Sequence, residues 1–175
     1  TLLESIDAKE FYSLSKEADL LTKENIRLKL IELCYKLFNK TGVDIWFNNK
    51  GFKSKTKTED KEKLKPLAIL FNSLEENLSF KNLAKLLKSI KELTGVKCYR
   101  KELFSTFCKA LEDAEIQSIS VLESMNNKRN MTRRIGRKIY GRCIGTTLLT
   151  KGLEFDTVAI LNAHKFGCPK HLYVA

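Results

Sequence analysis

Apolar residues recur at intervals of three and four along most of the chain, the period of a helix with one buried face. Phe11, Leu14 and Leu20 mark a short first helix that Asp7 can cap. Thr22 opens a stronger one, with Ile26, Leu30, Leu33, Cys34, Leu37 and Phe38 in phase and Gly42 as its left-handed stop. Val43–Phe47 alternates weakly, which predicts a short extended piece before an Asn48-Asn49-Lys50-Gly51 turn. Pro66 suits the first turn of a helix that continues through Leu67, Leu70, Phe71 and Leu74. Ser79 caps the next, whose face is Leu83, Leu86, Leu87 and Ile90 and whose end is Gly95. Further helices are expected over Lys101–Leu111 and Ala114–Asn127. The tripeptides Thr41-Gly42-Val43 and Thr94-Gly95-Val96 echo one another and are read as helix punctuation, not duplication.

Charge interrupts this pattern twice. Residues 50–65 hold seven lysines against Glu59, Asp60 and Glu62, the composition of a solvated loop or hinge. Lys128–Arg142 reads KRNMTRRIGRKIYGR, with seven positive charges and no acid. Arginine grips phosphates through a planar fork, so Arg133, Arg134 and Arg137 are candidate nucleic-acid contacts; the alternative is a solvated face balanced by an acidic partner domain. Beyond this run the period shortens. Cys143–Thr147 and Thr157–Leu161 are β-branched and apolar and predict two buried strands. The expected class is α+β and mainly helical: a basic, bundle-like region over residues 1–140, then a small β-containing segment over 141–175.

Composition narrows the function classes. At 175 residues, 43% hydrophobic and 30% charged, the chain can bury a core. Lys and Arg number 32 against 21 Asp and Glu, and the net +11 favours a polyanionic partner. No apolar run approaches the roughly 20 residues of a membrane helix. A membrane-surface role finds little support, because the strongest basic run lacks Trp and Phe. Thr1-Leu2-Leu3-Glu4 has neither the basic nor the apolar region of a signal peptide, so a cytoplasmic location is expected. Cys34, Cys98, Cys108, Cys143 and Cys168 are odd in number, without C-x-x-C spacing, and read as reduced thiols. His164, Cys168 and His171 make H-x3-C-x2-H, but zinc prefers four ligands and no fourth is evident, so no metal is assigned.

The most specific stretch is Gly145–Leu161, GTTLLTKGLEFDTVAIL. A nucleotide held at a domain interface needs a cation near its phosphates, a backbone position without a Cβ and an acceptor for ribose hydroxyls. Lys151, Gly152 and Glu154 offer these on one loop. The hydroxyls of Thr146 and Thr147 can donate to a nucleic-acid phosphate. The plainer reading is a turn in which Gly152 is a turn glycine and Glu154 a solvated charge. The stretch closely resembles motif V of UvrD/Rep-type superfamily 1 helicases, and Lys170-His171-Leu172-Tyr173-Val174-Ala175 resembles the opening of motif VI.

That resemblance implies a fragment of a RecA-like α/β motor domain, 2A, preceded by a helical 2B-like insertion in residues 1–140. It implies an ATP-dependent DNA helicase or translocase, 3′ to 5′, using ATP with Mg²⁺. Lys151 and Gly152 would lie beside the phosphates and Glu154 would receive the ribose hydroxyls. Its partners would be single-stranded or partly duplex DNA and the N-terminal motor domain of the same protein. Leu148 stands where many relatives carry a DNA-contacting His, so that contact is lost here. The nucleotide-contacting arginine of motif VI would follow Ala175, which makes the chain an expected part of a longer protein. This segment contains no G-x-x-x-x-G-K-[ST] loop and is expected to be inactive alone. The alternative is a non-catalytic nucleic-acid-binding or interaction module that retains a helicase-like loop.

Overall fold

The computed structural model describes residues 9–48, 51–135, 142–146, 150, 156–165 and 167, the side chains of Arg133 and Ile135 excepted. In chain order its regular elements are α1 (Lys9–Asp19), α2 (Ile26–Leu37), α3 (Lys40–Trp46), β1 (Phe47–Asn48), β2 (Gly51–Phe52), α4 (Thr58–Glu76), α5 (Phe80–Lys91), α6 (Lys101–Gln117) and α7 (Val121–Ile135). A 3-10 turn follows at Ala163–Lys165. The described residues are thus mainly helical, as the periodicity predicts. One compact unit spans Ile6–Asn130, and the residues from Met131 onward belong to a second.

The core of the first unit gathers on α5, the most amphipathic of these helices. Leu83, Ala84, Leu86, Leu87 and Ile90 are all fully or almost fully buried, and α4 and α6 pack against them. Each buried leucine contributes about 1.5–3 kcal/mol relative to exposure. Ser79 caps the helix as expected, its Oγ accepting from the Asn82 N–H at 3.3 Å, and Glu115 of α6 accepts from the Phe80 N–H at 2.8 Å. Thr22 is not the cap of α2: the helix begins at Ile26 with Asn25 at its N-cap position and no side-chain cap bond. Thr22 instead closes the preceding turn, its Oγ1 accepting from the Asn25 N–H while Asn25 Oδ1 accepts from the Thr22 N–H at 2.8 Å. Asp7 lies outside the described residues.

Several expectations need correction. Leu20 is 65% exposed, because α1 ends at Asp19 and Leu21 takes the buried position. Gly42 does not stop a helix; it lies inside α3, and Val43–Trp46 is helical, not extended. The predicted turn is bracketed by a two-residue hairpin, Phe47 opposite Phe52 and Asn48 opposite Gly51. The lysine-rich stretch is only partly a loop, since α4 begins at Thr58 and carries Pro66 in its interior. Pro66 is on the exposed side, where water can satisfy the carbonyl its missing N–H leaves open, and Glu59 and Asp60 favour the helix N-terminus electrostatically. The two helices expected after Lys101 are divided differently: α6 runs through Glu112 and Asp113 and breaks at Ser118, which is left-handed at φ 54°.

The predicted strands are the largest departure. Ile144 makes an isolated bridge, and Thr157–Ile160 is irregular, with Val158, Ile160 and Leu161 at 58%, 40% and 78% exposure. A buried strand needs a neighbour for its backbone groups and a layer over its side chains. Among the described residues no strand pairs with 157–161.

Candidate nucleic-acid interface

The basic run begins on α7, and the position of α7 is set from far away in sequence. Both oxygens of the Asp19 carboxylate accept from its first turn, Oδ1 from the Val121 N–H at 2.6 Å and Oδ2 from the Leu122 N–H at 3.0 Å. Ser120 Oγ accepts from the Glu123 N–H at 3.1 Å. These bonds satisfy donors that a helix start leaves open, and they place a negative charge at the positive end of the helix. Val121, Ser124 and Met125 then turn inward and are buried.

This orientation divides the seven charges of Lys128–Arg142. Lys128 forms an ion pair with Asp113 of α6, and Arg129 donates to the Tyr12 hydroxyl with its guanidinium 5.6 Å from that ring. Both are therefore committed to holding α7 in place. Arg134 is exposed on the next turns of the same helix, and Arg142 is exposed in irregular backbone. Arg133 belongs to α7 by its backbone, while Arg137 lies outside the described residues. No acid lies within the stretch 128–142 itself, although Lys128 is paired with Asp113 from α6.

Of the nucleotide-loop candidates, Thr146 alone is described. It is exposed, and its carbonyl accepts from Thr150 N–H at 3.0 Å and Thr150 Oγ1 at 3.1 Å. Thr147, Leu148, Lys151, Gly152 and Glu154 lie outside the described residues, as do Cys168 and the stretch Lys170–Ala175. His164 is exposed in the 3-10 turn. Among the described residues no group of three or more His, Cys, Asp or Glu is placed to hold a metal ion. No helix among them is long and apolar enough to cross a membrane.

Two features escaped sequence reasoning. Lys53 and Lys55, part of the presumed hinge, donate to the Asp44 and Ile45 carbonyls at 2.5 and 2.6 Å, and Lys55 sits 4.5 Å over the Trp46 ring. They serve the open C-terminal end of α3. The second is a cleft of about 270 Å³ between α2, the hairpin and α4, with Phe47, Phe52 and Phe71 in its wall. Its residues come from three separated segments, and only the spacing of Phe47 and Phe52 across a turn hints at it.

Several titratable groups in the first unit hold their protons more tightly than usual. Hydrogen bonds raise Arg27 (from Glu75), Lys29 (Glu32), Lys88 (Glu112) and Tyr35 (Asp44). Burial raises the Cys34 thiol and pushes Cys108 up to about 12. Each group holds its proton more tightly when folded, so its contribution is complete below the unfolded value and is lost as pH rises through the folded one. The urea midpoint should therefore fall steadily from about pH 8.5, the ordinary thiol value, toward pH 11. Cys108→Ala should flatten that decline; a midpoint constant up to pH 10.5 would contradict it.

Compared with family models, curated proteins and solved structures, the chain matches none.

Proposed function

We propose that the chain forms the 2B-like region and part of the RecA-like 2A motor domain of a UvrD/Rep-like superfamily 1 helicase, an ATP-dependent 3′-to-5′ translocase on single-stranded DNA. One observation carries the reading: GTTLLTKGLEFDTVAIL is followed by KHLYVA in the order and spacing of motifs V and VI. A mainly helical region precedes them and leads into a basic helix with Arg134 in solvent, which supports the same reading.

In this scheme the phosphate loop and the acid that holds Mg²⁺ belong to the N-terminal motor domain of the same cytoplasmic protein. ATP binding and hydrolysis change the separation of the two motor domains. Lys151 and Gly152 sense the phosphates, Glu154 receives the ribose hydroxyls, and Thr146 and Thr147 pass the change to the strand. Arg133, Arg134 and Arg137 add phosphate contacts without sequence preference. The second reading, a binding module without a motor, is favoured by the self-contained core of residues 6–130.

Two substitutions in the ATP-hydrolysing protein separate these readings. A hydrogen bond to a charged group contributes about 1.5–3 kcal/mol, so Glu154→Ala should weaken ATP binding roughly 10- to 100-fold. Thr147→Ala should weaken strand engagement and leave basal ATP binding nearly intact. Nucleotide titration and single-strand-stimulated ATPase assays report the two faces separately. A Glu154→Ala protein that is folded and equal to the parent in both assays would move the binding module ahead.

A further inference from the structure

The segment between α5 and α6 alternates in burial. Val96 and Cys98 turn inward, each 9% exposed, while Lys97 and Tyr99 turn out to solvent. This is the period of an extended chain, so the Lys97 and Tyr99 side chains leave on one face, about 6.5 Å apart at the backbone. Lys101 follows as the first residue of α6 and is also exposed. Residues 94–101 read TGVKCYRK, with three cations and no acid, and the acid that follows, Glu102, is half-buried.

Two anchors hold this face still. The Lys97 backbone is bonded on both sides to Asn39, whose N–H donates to the Lys97 carbonyl at 3.0 Å and whose Oδ1 accepts from the Lys97 N–H at 2.5 Å. Two residues beyond Tyr99, α6 begins. There Arg100 donates to Glu10 of α1 at 3.2 Å, and the Arg100 carbonyl accepts from the Phe104 N–H at 3.0 Å. On this fixed backbone Tyr99 is 70% exposed, and among the described residues it is the one aromatic side chain in solvent. Neither its ring and hydroxyl nor the Lys97 and Lys101 ammonium groups meet a partner among those residues. A tyrosine has only two side-chain torsions, so a ring set on pinned backbone offers contact area at little entropic cost.

We infer that Tyr99 is a stacking platform for one base of a single strand, with Lys97 and Lys101, before and after it, taking adjoining phosphates. Every base has a π-face, and an aromatic ring between two cations matches a chain that alternates aromatic and anionic groups. Arg100 is left out of this set because Glu10 engages it. An acidic peptide would satisfy the ammonium groups and leave the ring unmatched. A membrane surface would need a broader apolar face than one ring between lysines. The inference rests on the strand-binding half of the proposed function and adds a base contact to its phosphate contacts.

The test titrates the whole 175-residue chain at low salt against two fluorescent oligomers of equal length, an oligothymidylate and its abasic counterpart. The parent should prefer the base-bearing strand about tenfold, within the range of one aromatic–base stack. Tyr99→Ala should abolish that preference by weakening the oligothymidylate alone, and Tyr99→Phe, which keeps the ring, should retain it. Lys97→Gln with Lys101→Gln should weaken both oligomers equally and flatten the slope of log affinity against log salt by about 1.4. All three side chains lie in solvent, so the circular dichroism of each variant should match the parent. Equal binding of both oligomers by the parent, a preference that survives Tyr99→Ala, or an unchanged slope in the lysine variant overturns the platform and leaves strand binding standing. Failure of the parent to bind either oligomer defeats the strand reading itself, and the platform with it. Polyglutamate binding that is lost in Tyr99→Ala would assign this face to an acidic protein partner and overturn the base.

Discussion

Gly42→Ala is expected to destabilise the first unit by about 3 kcal/mol, although the same change on an exposed helix ordinarily stabilises by roughly 1 kcal/mol. An added Cβ would lie 2.2 Å from the Gly95 carbonyl oxygen and 2.7–2.8 Å from the side-chain amide atoms of Asn39. Neither obstacle can swing aside cheaply. Asn39 Nδ2 donates to that same carbonyl at 3.2 Å, Asn39 Oδ1 accepts from the Lys97 N–H at 2.5 Å, and the Asn39 N–H donates to the Lys97 carbonyl at 3.0 Å. Trp46 Nε1 donates to the Thr94 carbonyl at 2.8 Å from the same helix. Making room for one methyl group means lifting α3 off the 94–97 loop and loosening these bonds together. Trp46, the single tryptophan, reports the transition in urea. Gly51→Ala is the control: its Cβ meets nothing within 4 Å, and its φ of +115° alone should cost about 1 kcal/mol. A Gly42→Ala chain as stable as the parent would mean that α3 and the loop do not pack this closely.

On the strand-binding role proposed above, neutralising Arg133, Arg134 and Arg137 together is expected to remove most measurable DNA binding at moderate salt. Each phosphate contact contributes about 0.7 to the slope of log affinity against log salt on single strands, so three contacts should flatten it by about 2. Arg134 lies in solvent, so its own loss should leave the fold intact. The matched change at Lys128 and Arg129 should do the opposite. Those residues are engaged with Asp113 and Tyr12, and their loss should lower stability before it alters the salt slope. An unchanged slope in the triple variant would make the basic run a solvated face. Equal losses of binding from both variants would show that charge density alone, not position on α7, governs strand affinity.

Much of the helical architecture is legible from periodicity, because a helix with one buried face writes its contacts into local spacing. Ile26 to Leu37 and Leu83 to Ile90 are buried at the phases the sequence predicts, as are Leu67, Phe71 and Leu74, with Leu70 partly buried beside them. The cap at Ser79 is equally local, made within three residues. The candidate site was less legible. The sequence singles out a basic run, but Lys128 and Arg129 are drawn inward by Asp113 and Tyr12, partners 15 and 117 residues away that no local pattern reveals. Likewise the Asp19 carboxylate caps α7 from 102 residues upstream of Val121.

What the sequence determined alone is the set of helix faces, the positive charge and the order of the loop residues that resemble a helicase motif. These depend on side-chain type and near-neighbour spacing. Tertiary packing decided the rest. It made Gly42 a point of contact with Gly95 and not a helix stop, because a glycine's two uses, positive φ and close approach, look the same in one dimension. It let α4 run through Pro66 by keeping the unpaired carbonyl in water. It left Val158, Ile160 and Leu161 exposed, since an apolar, β-branched stretch becomes a buried strand only where a neighbour pairs with its backbone and another layer covers its side chains.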